Sequence, residues 1–424
     1  MRPKAKLYHG ASIAVALGLT SDEQQGCRLP ILVDNCATAA RRGPSRPPNG
    51  GASAQRGDRI EAERALPADI VAALHEGRLF RHLLPRSLGG DELHLKTLAQ
   101  VIELIAGADA STAWCLGQGA GCALAAASLR PEVARRLFAP ADAVLAWGAG
   151  IQGKATAVDG GYRVTGKFTF ASGCANATLL GAHSHIFQKN GTPRRRADGR
   201  QLDRTLLLCK SKATIRDVWH TLGLRGTASY SYEVENLFVP EEETFEREDR
   251  GEKFEQGTLY LFHETYAYAV AFSALMLGIA QAMVHDLEAL AMTKTPRAAA
   301  SSLRESPLFQ SQFAVLEARL RASRAYLHAT LEEIWDRVEA TREVPIEERA
   351  NLKLATTYVI NEGVDIATEA YRAAGQTAIF PTNPFERRLR DALTAAQQLQ
   401  GRPSNFITIG RVMLGLPPDT ILLR

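Results

Sequence analysis

The period with which apolar residues recur changes twice along the chain. From Tyr162 to Phe170 apolar and polar side chains alternate, and an Asp-Gly-Gly turn precedes them at Asp159. This period of two predicts a strand that buries Tyr162, Val164, Phe168 and Phe170 on one face. Further strands are predicted over residues 179–187, 205–215 and 230–239.

Helical periodicity surrounds this β region. Apolar residues recur at spacings of three and four between Phe313 and Ile334, which predicts a helix that packs in a bundle. Residues 37–58 are rich in proline, glycine and arginine and bury too little surface to offset their ordering entropy. We therefore predict four segments: a disordered leader or a misassigned start over residues 1–58, a helical N-terminal domain over 59–143, a central β domain over 144–245 and a C-terminal helical bundle over 246–424.

Two segments of 20 residues, 110–129 and 265–284, carry no charged side chain. Their length would allow a membrane helix. Both are rich in alanine, glycine and serine rather than leucine and isoleucine, so we predict helices buried on all sides of a soluble bundle. The basic start of the chain precedes an apolar stretch, but no small-residue cleavage site follows it. We expect a cytoplasmic protein without a membrane partner.

Charge and cysteine usage exclude several classes of function. The net charge is +4, but nine basic and four acidic residues fall in residues 1–60, which leaves 41 basic and 42 acidic residues in the remainder. A nearly neutral body argues against nucleic-acid binding. The six cysteines show no metal-binding or disulfide spacing, and His183 and His185 lack a third ligand nearby. We predict no metal site and a reducing compartment.

Two local features have both a structural and a functional interpretation. Gly117, Gly119 and Gly121 lie in a helical stretch with no preceding strand, so they indicate close helix packing rather than a dinucleotide-binding loop. Glu264 directly precedes the second uncharged segment, where a helix N-terminus favours a carboxylate. A catalytic base is the alternative role for Glu264.

Eight short phrases follow one another in an order that resembles a known family. They are residues 84–90, 109–114, 159–166, 170–173, 223–227, 239–240, 374–376 and 384–391. Together they cover about residues 60–424 and resemble the acyl-CoA dehydrogenase superfamily, within it the reduced-flavin-dependent monooxygenases of the 4-hydroxyphenylacetate hydroxylase and dibenzothiophene monooxygenase type. The resemblance implies an α+β fold with a helical N-terminal domain, a central β-barrel-like domain and a C-terminal four-helix bundle that usually forms a homotetramer.

The same resemblance implies a flavin site. It implies Phe170, Ala171 and Ser172 beside the isoalloxazine ring, Trp147 as a wall, and Arg225 near the ring. It also implies Arg304 or Arg297 at a flavin phosphate, and Gly375 and Gln376 at the neighbouring subunit's cofactor. The substrate pocket would include Trp114, Cys115 and His263. The protein supplies orientation and the flavin supplies the redox chemistry.

Departures from the family decide which chemistry is expected. The positions of the dehydrogenase carboxylate base fall on Leu399 and Tyr268, which cannot remove a proton as a carboxylate does. The position of the monooxygenase histidine falls on Gln398, which can form hydrogen bonds but does not titrate near neutral pH. Gln398 and Ser172 are therefore the predicted catalytic residues, which would position the oxygen adduct of the flavin.

The leading functional hypothesis is a two-component monooxygenase. It would take reduced FMN or FAD from a separate flavin reductase and use O2 on a small organic substrate, aromatic or heteroaromatic. One alternative is an acyl-CoA dehydrogenase-like enzyme with Glu264 as a relocated base. Another is a flavin-binding homologue without turnover.

Overall fold

The computed structural model describes residues 50–247, 253–297 and 299–419. These ranges contain ten α-helices: α1 (Gly50–Glu63), α2 (Ala68–Glu76), α3 (Leu95–Ala108), α4 (Ala110–Ala123), α5 (Pro131–Phe138), α6 (Glu264–Thr293), α7 (Pro307–Thr341), α8 (Ile346–Ala374), α9 (Phe385–Ala395) and α10 (Asn405–Met413). The strands are β1 (Leu145–Trp147), β2 (Gly153–Val158), β3 (Gly161–Ala171), β4 (Leu179–Phe187), β5 (Asp203–Cys209), β6 (Thr214–Arg216), β7 (Tyr230–Pro240) and β8 (Thr244–Phe245). Residues 1–49 of the predicted leader lie outside the described residues, and α1 begins within its last part.

The long helix α6 forms the centre of the helical part. It is long and apolar enough to cross a membrane by length and composition, yet 94% of its most apolar window is buried inside the protein. Helices α3, α4 and α8 pack around it. The prediction that residues 265–284 form a helix buried on all sides is therefore confirmed.

Glycines allow α4 to approach α6 closely. A Cβ atom on Gly117 would lie 2.7 Å from the Cβ of Ala271, and one on Gly121 would lie 2.1 Å from Cε1 of Tyr268. Both distances are shorter than side-chain packing allows. The interpretation of this glycine-rich stretch as a helix-packing surface is confirmed.

Three long helices, α6, α7 and α8, make up most of the C-terminal bundle. A row of buried leucines runs along α7 and includes Leu316, Leu320 and Leu327, as the 3-4 spacing predicts. α7 packs on α8, and the shorter helices α9 and α10 pack on α8 as well. The N-terminal helix α3 completes the layer around α6.

The eight strands form one mixed sheet. Its order is β6-β7-β3-β2-β4-β5-β8, and β1 pairs with β4 beside β2. Both β1 and β2 run parallel to β4, whereas the other pairs are antiparallel. The pairing order leaves β6 and β8 as edges, whereas the resemblance implied a barrel-like domain.

The predicted buried face of β3 holds for three of its four residues. Tyr162, Val164 and Phe168 are buried, but Phe170 is 62% exposed. The register with β7 shifts between Phe168 and Ala171, and Phe170 has a φ of 60°. This bulge turns Phe170 out of the core, so the prediction of a buried Phe170 is wrong.

Candidate functional site

A buried chain of hydroxyl groups begins at the end of β3. The Trp114 Nε1–H donates to Ser172 Oγ at 2.9 Å, and Ser172 Oγ lies 2.6 Å from Ser229 Oγ. Ser229 Oγ lies 2.7 Å from Thr227 Oγ1, which donates to the Leu224 carbonyl at 2.9 Å. The chain links α4, the end of β3 and the loop before β7, so it holds the Ser172 hydroxyl in a defined place.

An exposed aromatic side chain stands beside this hydroxyl chain. The one ring contact of Phe170 among the described residues is edge-on against Trp219, with ring centroids 6.1 Å apart. Its φ of 60° lies in the left-handed region, which costs a phenylalanine about 1 kcal/mol or more. Strained residues of this kind cluster at ligand-binding sites. Val218 and Leu222 expose further apolar surface on the same loop as Trp219.

The loop over residues 223–228 is fixed by helix α9 of the C-terminal bundle. The Leu224 N–H donates to the buried Asp391 carboxylate at 2.6 Å. Leu224 itself has a φ of 50°. A Cβ on Gly223 would lie 2.1 Å from the Arg390 carbonyl oxygen, so no larger residue fits there. Arg390 and Asp391 of α9 therefore position the backbone that carries Thr227.

Arg225 extends from the same loop. Its guanidinium reaches Glu61 of α1 at 3.3 Å, but its buried Nε atom has no hydrogen-bond partner within the described part of the chain. A Cβ on Gly226 would lie 2.1 Å from Ile60 Cγ2, so this glycine serves the contact with α1. The unsatisfied Nε is a buried donor that a bound acceptor group would stabilise.

We expect Asp391 to make the stability of this loop depend on pH. Burial raises the pKa of its carboxyl to about 7; the bond from Leu224 N–H opposes this, and the charge of Asp109 adds to it. Because the folded-state pKa is raised, the stabilising contribution of Asp391 is complete below about pH 4 and is lost as the pH rises through about 7. Asp391→Asn keeps an acceptor for Leu224 N–H and should flatten this decline. Urea unfolding below about pH 4 and above about pH 7 measures this decline, and the exposed Asp365→Asn serves as the control. If the free energy of unfolding of Asp391→Asn falls with pH as steeply as that of the parent protein, the assignment is wrong.

A cavity of about 530 Å³ opens between the sheet and the bundle. Its wall combines aromatic and charged side chains from β1, the segment before α6 and the connection between α7 and α8. The lining residues that matter most for chemistry are Trp147, Arg247, Tyr260, His263, Glu264 and Arg342. Its size suits a small organic molecule.

An ion pair closes one side of this cavity. Arg247 Nε lies 2.5 Å from Glu264 Oε1, and the guanidinium lies over the Trp147 ring at 5.7 Å from its centroid. Burial works to raise the pKa of Glu264, but the charges of Arg247 and His263 outweigh it, so this pKa lies below its ordinary value. Glu264 is therefore ionised and engaged with Arg247, which weakens it as a catalytic base.

An aromatic stack connects the hydroxyl chain with this ion pair. The Trp114 ring stacks on Phe272 with centroids 3.9 Å apart, and Phe272 stacks in turn on Tyr268. The Tyr268 hydroxyl lies 3.3 Å from Cys122 Sγ. Burial raises the pKa of Tyr268 well above its ordinary value, so the phenol stays neutral. The stack forms an apolar partition between α4 and α6.

The structure divides the predicted substrate-pocket residues between two places. His263 lines the large cavity, whereas Trp114 and Cys115 lie with Ser172. Burial raises the pKa of the Cys115 thiol far above its ordinary value, and its Sγ contacts the Thr227 carbonyl. Cys115 is therefore an inert packing residue.

The structure does not bring the predicted catalytic pair into contact. Gln398 Oε1 accepts the Gln400 N–H at 2.8 Å, and no hydrogen bond joins Gln398 to Ser172 among the residues that the structure describes. The Gln398 Nε2 atom is buried and has no partner in that same part of the chain. Gln398 thus caps the turn that follows it.

The remaining predicted cofactor residues lie on the bundle. Gly375 has a φ of 61° and, like Gln376, is exposed where α8 ends. Arg304 and Arg297 are exposed in the connection before α7. Their roles at a cofactor stay predictions.

Sequence reasoning missed four residues that shape these sites. They are Thr227, Ser229, Arg247 and Asp391. Thr227 and Asp391 are the last residues of two family-like phrases, which offered a signal, whereas Arg247 and Ser229 belong to no motif.

The chain is similar to a known family and to characterised monooxygenases. Residues 270–401 match the family described as acyl-CoA dehydrogenase, C-terminal domain. The chain is 28% identical over 360 residues to indole-3-acetate monooxygenase of Pseudomonas putida, covering 85% of this chain and 90% of that protein. It is 24% identical over 384 residues to the oxygenase component of p-hydroxyphenylacetate 3-hydroxylase of Acinetobacter baumannii, covering 87% and 88% of the two chains.

Solved structures share the fold. XiaF from Streptomyces sp., in complex with FADH2 and glycerol, aligns with a TM-score of 0.82 at 21% identity over 95% of this chain and 99% of its own. The 3-HSA hydroxylase from Rhodococcus sp. RHA1 aligns with a TM-score of 0.79 at 22% identity over 88% and 96%. The match to the family model and the similarity to the two monooxygenases confirm the resemblance to the flavin-dependent monooxygenase branch of the superfamily.

Proposed function

We propose that this chain, which resembles the flavin-dependent monooxygenases of the acyl-CoA dehydrogenase superfamily, is the oxygenase component of a two-component monooxygenase. Its relatives are named for indole-3-acetate and p-hydroxyphenylacetate, and both are small aromatic acids. The proposed substrate is a small aromatic or heteroaromatic compound. A separate flavin reductase would supply reduced FMN or FAD.

The observation that carries this proposal is Phe170. A phenylalanine that is 62% exposed at a φ of 60° gains little from folding unless a flat apolar ligand covers it. Ser172 lies two residues further on and offers a hydrogen-bonding group, and the unsatisfied Nε of Arg225 offers a cation in the next loop. An aromatic face, a hydroxyl and a guanidinium fit the ring and polar edge of a flavin.

Each of these residues has a role in the proposal. Phe170 packs on the flavin ring, Ser172 hydrogen-bonds its polar edge, and Arg225 stabilises negative charge on it. Bound reduced flavin supplies the activation of O2. Trp147 and the cavity beside it would hold the substrate away from bulk water.

The dehydrogenase alternative has weaker support in the geometry. An acyl-CoA dehydrogenase needs a carboxylate free to accept a proton. Glu264 is the relocated candidate, and it is ion-paired with Arg247 with a lowered pKa. The family base positions carry Leu399 and a neutral Tyr268.

We also propose a cytoplasmic homotetramer. The cysteines of the described segments are free thiols, in keeping with a reducing compartment. Large apolar side chains remain exposed at the C-terminal end of the protein, namely Ile407, Met413 and Leu414 on and after α10 and Ile379 and Phe380 after α8. Exposed apolar side chains in this number support assembly between copies of the chain.

An anaerobic titration with reduced FMN and with FADH2 tests the proposed function. The complex would then be mixed with ¹⁸O2 in the presence of indole-3-acetate or p-hydroxyphenylacetate as probes. We expect saturable binding of reduced flavin and, with an accepted aromatic probe, a product that carries ¹⁸O by mass spectrometry. Tightly bound oxidised FAD whose absorbance is bleached by an acyl-CoA would support the dehydrogenase instead. Flavin binding without ¹⁸O incorporation across a panel of aromatic compounds would support the homologue without turnover.

A further inference from the structure

The hydroxyl chain beside Phe170 has a direction that follows from counting its hydrogens. Each hydroxyl group donates only one hydrogen. Thr227 donates its hydrogen to the Leu224 carbonyl, so Thr227 Oγ1 can only accept from Ser229. Ser229 has then used its hydrogen and must accept from Ser172. Trp114 Nε1 can only donate, and it donates to Ser172 Oγ.

In this arrangement Ser172 has no hydrogen left for a ligand. Its hydrogen points to Ser229, one lone pair accepts from Trp114, and one lone pair remains. Ser172 therefore offers a hydrogen-bond acceptor to any group that reaches it. Ser172, Ser229 and Thr227 are all at least nine-tenths buried, so bulk water does not readily rearrange them.

The hydrogen bonds of the hydroxyl chain can also point in the opposite direction. Thr227 would then donate to Ser229, Ser229 to Ser172, and Ser172 would present its hydrogen to the ligand. The Leu224 carbonyl would lose the Thr227 hydrogen bond, although it keeps the Trp219 Nε1–H at 2.9 Å. Because the reversed arrangement has one hydrogen bond fewer, the arrangement in which Ser172 is an acceptor is favoured by roughly two- to tenfold.

We infer that Thr227 and Ser229 are positioning residues that make Ser172 a hydrogen-bond acceptor and so favour reduced over oxidised flavin. This inference rests on the proposed function. A reduced flavin carries an N–H at the central ring nitrogen N5, whereas the oxidised ring has only a lone pair there. An acceptor hydroxyl stabilises the N–H form and repels the lone pair. Thr227 acts through Ser229 and Ser172 and does not itself touch the ligand.

Thr227→Val is the decisive variant, because valine keeps the shape of threonine and removes its hydroxyl. Ser229 then has no acceptor at residue 227 and donates to Ser172, which turns the Ser172 hydrogen toward the ligand. Thr227→Ser keeps the hydroxyl and should behave like the parent protein. Thr221→Val is the matched control, since Thr221 lies in the same loop and its hydroxyl donates to the Gly223 carbonyl outside the chain of hydroxyls.

The measured quantity is the ratio of the dissociation constants of oxidised and reduced flavin, from aerobic and anaerobic titrations of the intact protein. We expect Thr227→Val to lower this ratio roughly two- to tenfold, with Thr227→Ser and Thr221→Val unchanged. The midpoint potential of the bound flavin should fall by about 30 mV for a tenfold change in the ratio. Ser229→Ala breaks the chain at its next member and should shift the ratio in the same direction, which provides a second test if Thr227→Val folds poorly.

The possible outcomes separate this inference from the proposed function. Binding of flavin with the same ratio in Thr227→Val and Ser229→Ala as in the parent protein would overturn the inference and leave the proposed function intact. An equal shift in the Thr221→Val control would also overturn it, because the effect would then belong to the loop as a whole. Failure of the parent protein to bind either redox state would overturn both.

Discussion

Replacement of Glu264 by glutamine is expected to lower the free energy of unfolding by about 3 kcal/mol, because it leaves the Arg247 guanidinium charged and without its carboxylate. Arginine does not lose its proton in proteins. The two side chains are 20% and 12% exposed, so we place the loss at the lower end of the range for buried pairs. Urea unfolding monitored by circular dichroism measures it.

A double variant serves as the control for this prediction. Glu264→Leu combined with Arg247→Met removes both charges and fills similar volume, so much of the lost stability should return. Arg247→Met alone should be destabilising, since it leaves the carboxylate buried without its partner. A change of less than about 0.5 kcal/mol in Glu264→Gln would mean that the pair behaves like a solvent-exposed one. Glu264 would then again be a candidate for a free base in the cavity.

Replacement of Phe170 by alanine is expected to weaken binding of reduced flavin about thirtyfold. Stacking of an aromatic side chain on a planar base contributes about 1–3 kcal/mol, and 1.4 kcal/mol corresponds to tenfold in affinity. Phe170 is 62% exposed, and its ring contact in the described part of the chain is edge-on, so its loss should cost little stability. Anaerobic titration by fluorescence gives the dissociation constant.

Phe238→Ala is the matched control for Phe170→Ala. Phe238 is 39% exposed on β7, opposite Arg163 near the start of β3 rather than its end. This variant should bind flavin like the parent protein, and Phe170→Trp should retain most of the affinity. Equal affinity of Phe170→Ala and the parent protein would place the flavin elsewhere and remove the observation on which the proposed function rests.

The glycine-rich stretch of α4 shows what a local sequence pattern can predict. Its helical surroundings and the lack of a preceding strand excluded a nucleotide loop, and the contact of Gly121 with Tyr268 agrees. The alternation in β3 predicted the buried side chains of Val164 and Phe168 correctly. It failed at Phe170 because a bulge depends on the pairing with β7, which no local period records.

The candidate site depends on contacts that a local sequence pattern does not predict. The family resemblance named Ser172 and Trp114 separately, with one at the cofactor and the other in the substrate pocket. The hydrogen bond between them joins residues 58 positions apart. Ser229 completes the chain of hydroxyls from the loop that precedes β7, and nothing in its own sequence neighbourhood distinguishes it.

The amino-acid sequence alone was enough to predict the order of helices, strands and helices, the burial of α6 and the resemblance to flavin-dependent monooxygenases. These properties depend on periodicity and on short phrases, both of which are local. The three-dimensional contacts were needed to establish that Phe170 faces outward and that Glu264 is paired with Arg247, and to infer that Thr227 and Ser229 orient Ser172. Hydrogen bonds and ion pairs act over a few ångströms in space, and here they join segments that lie far apart along the chain.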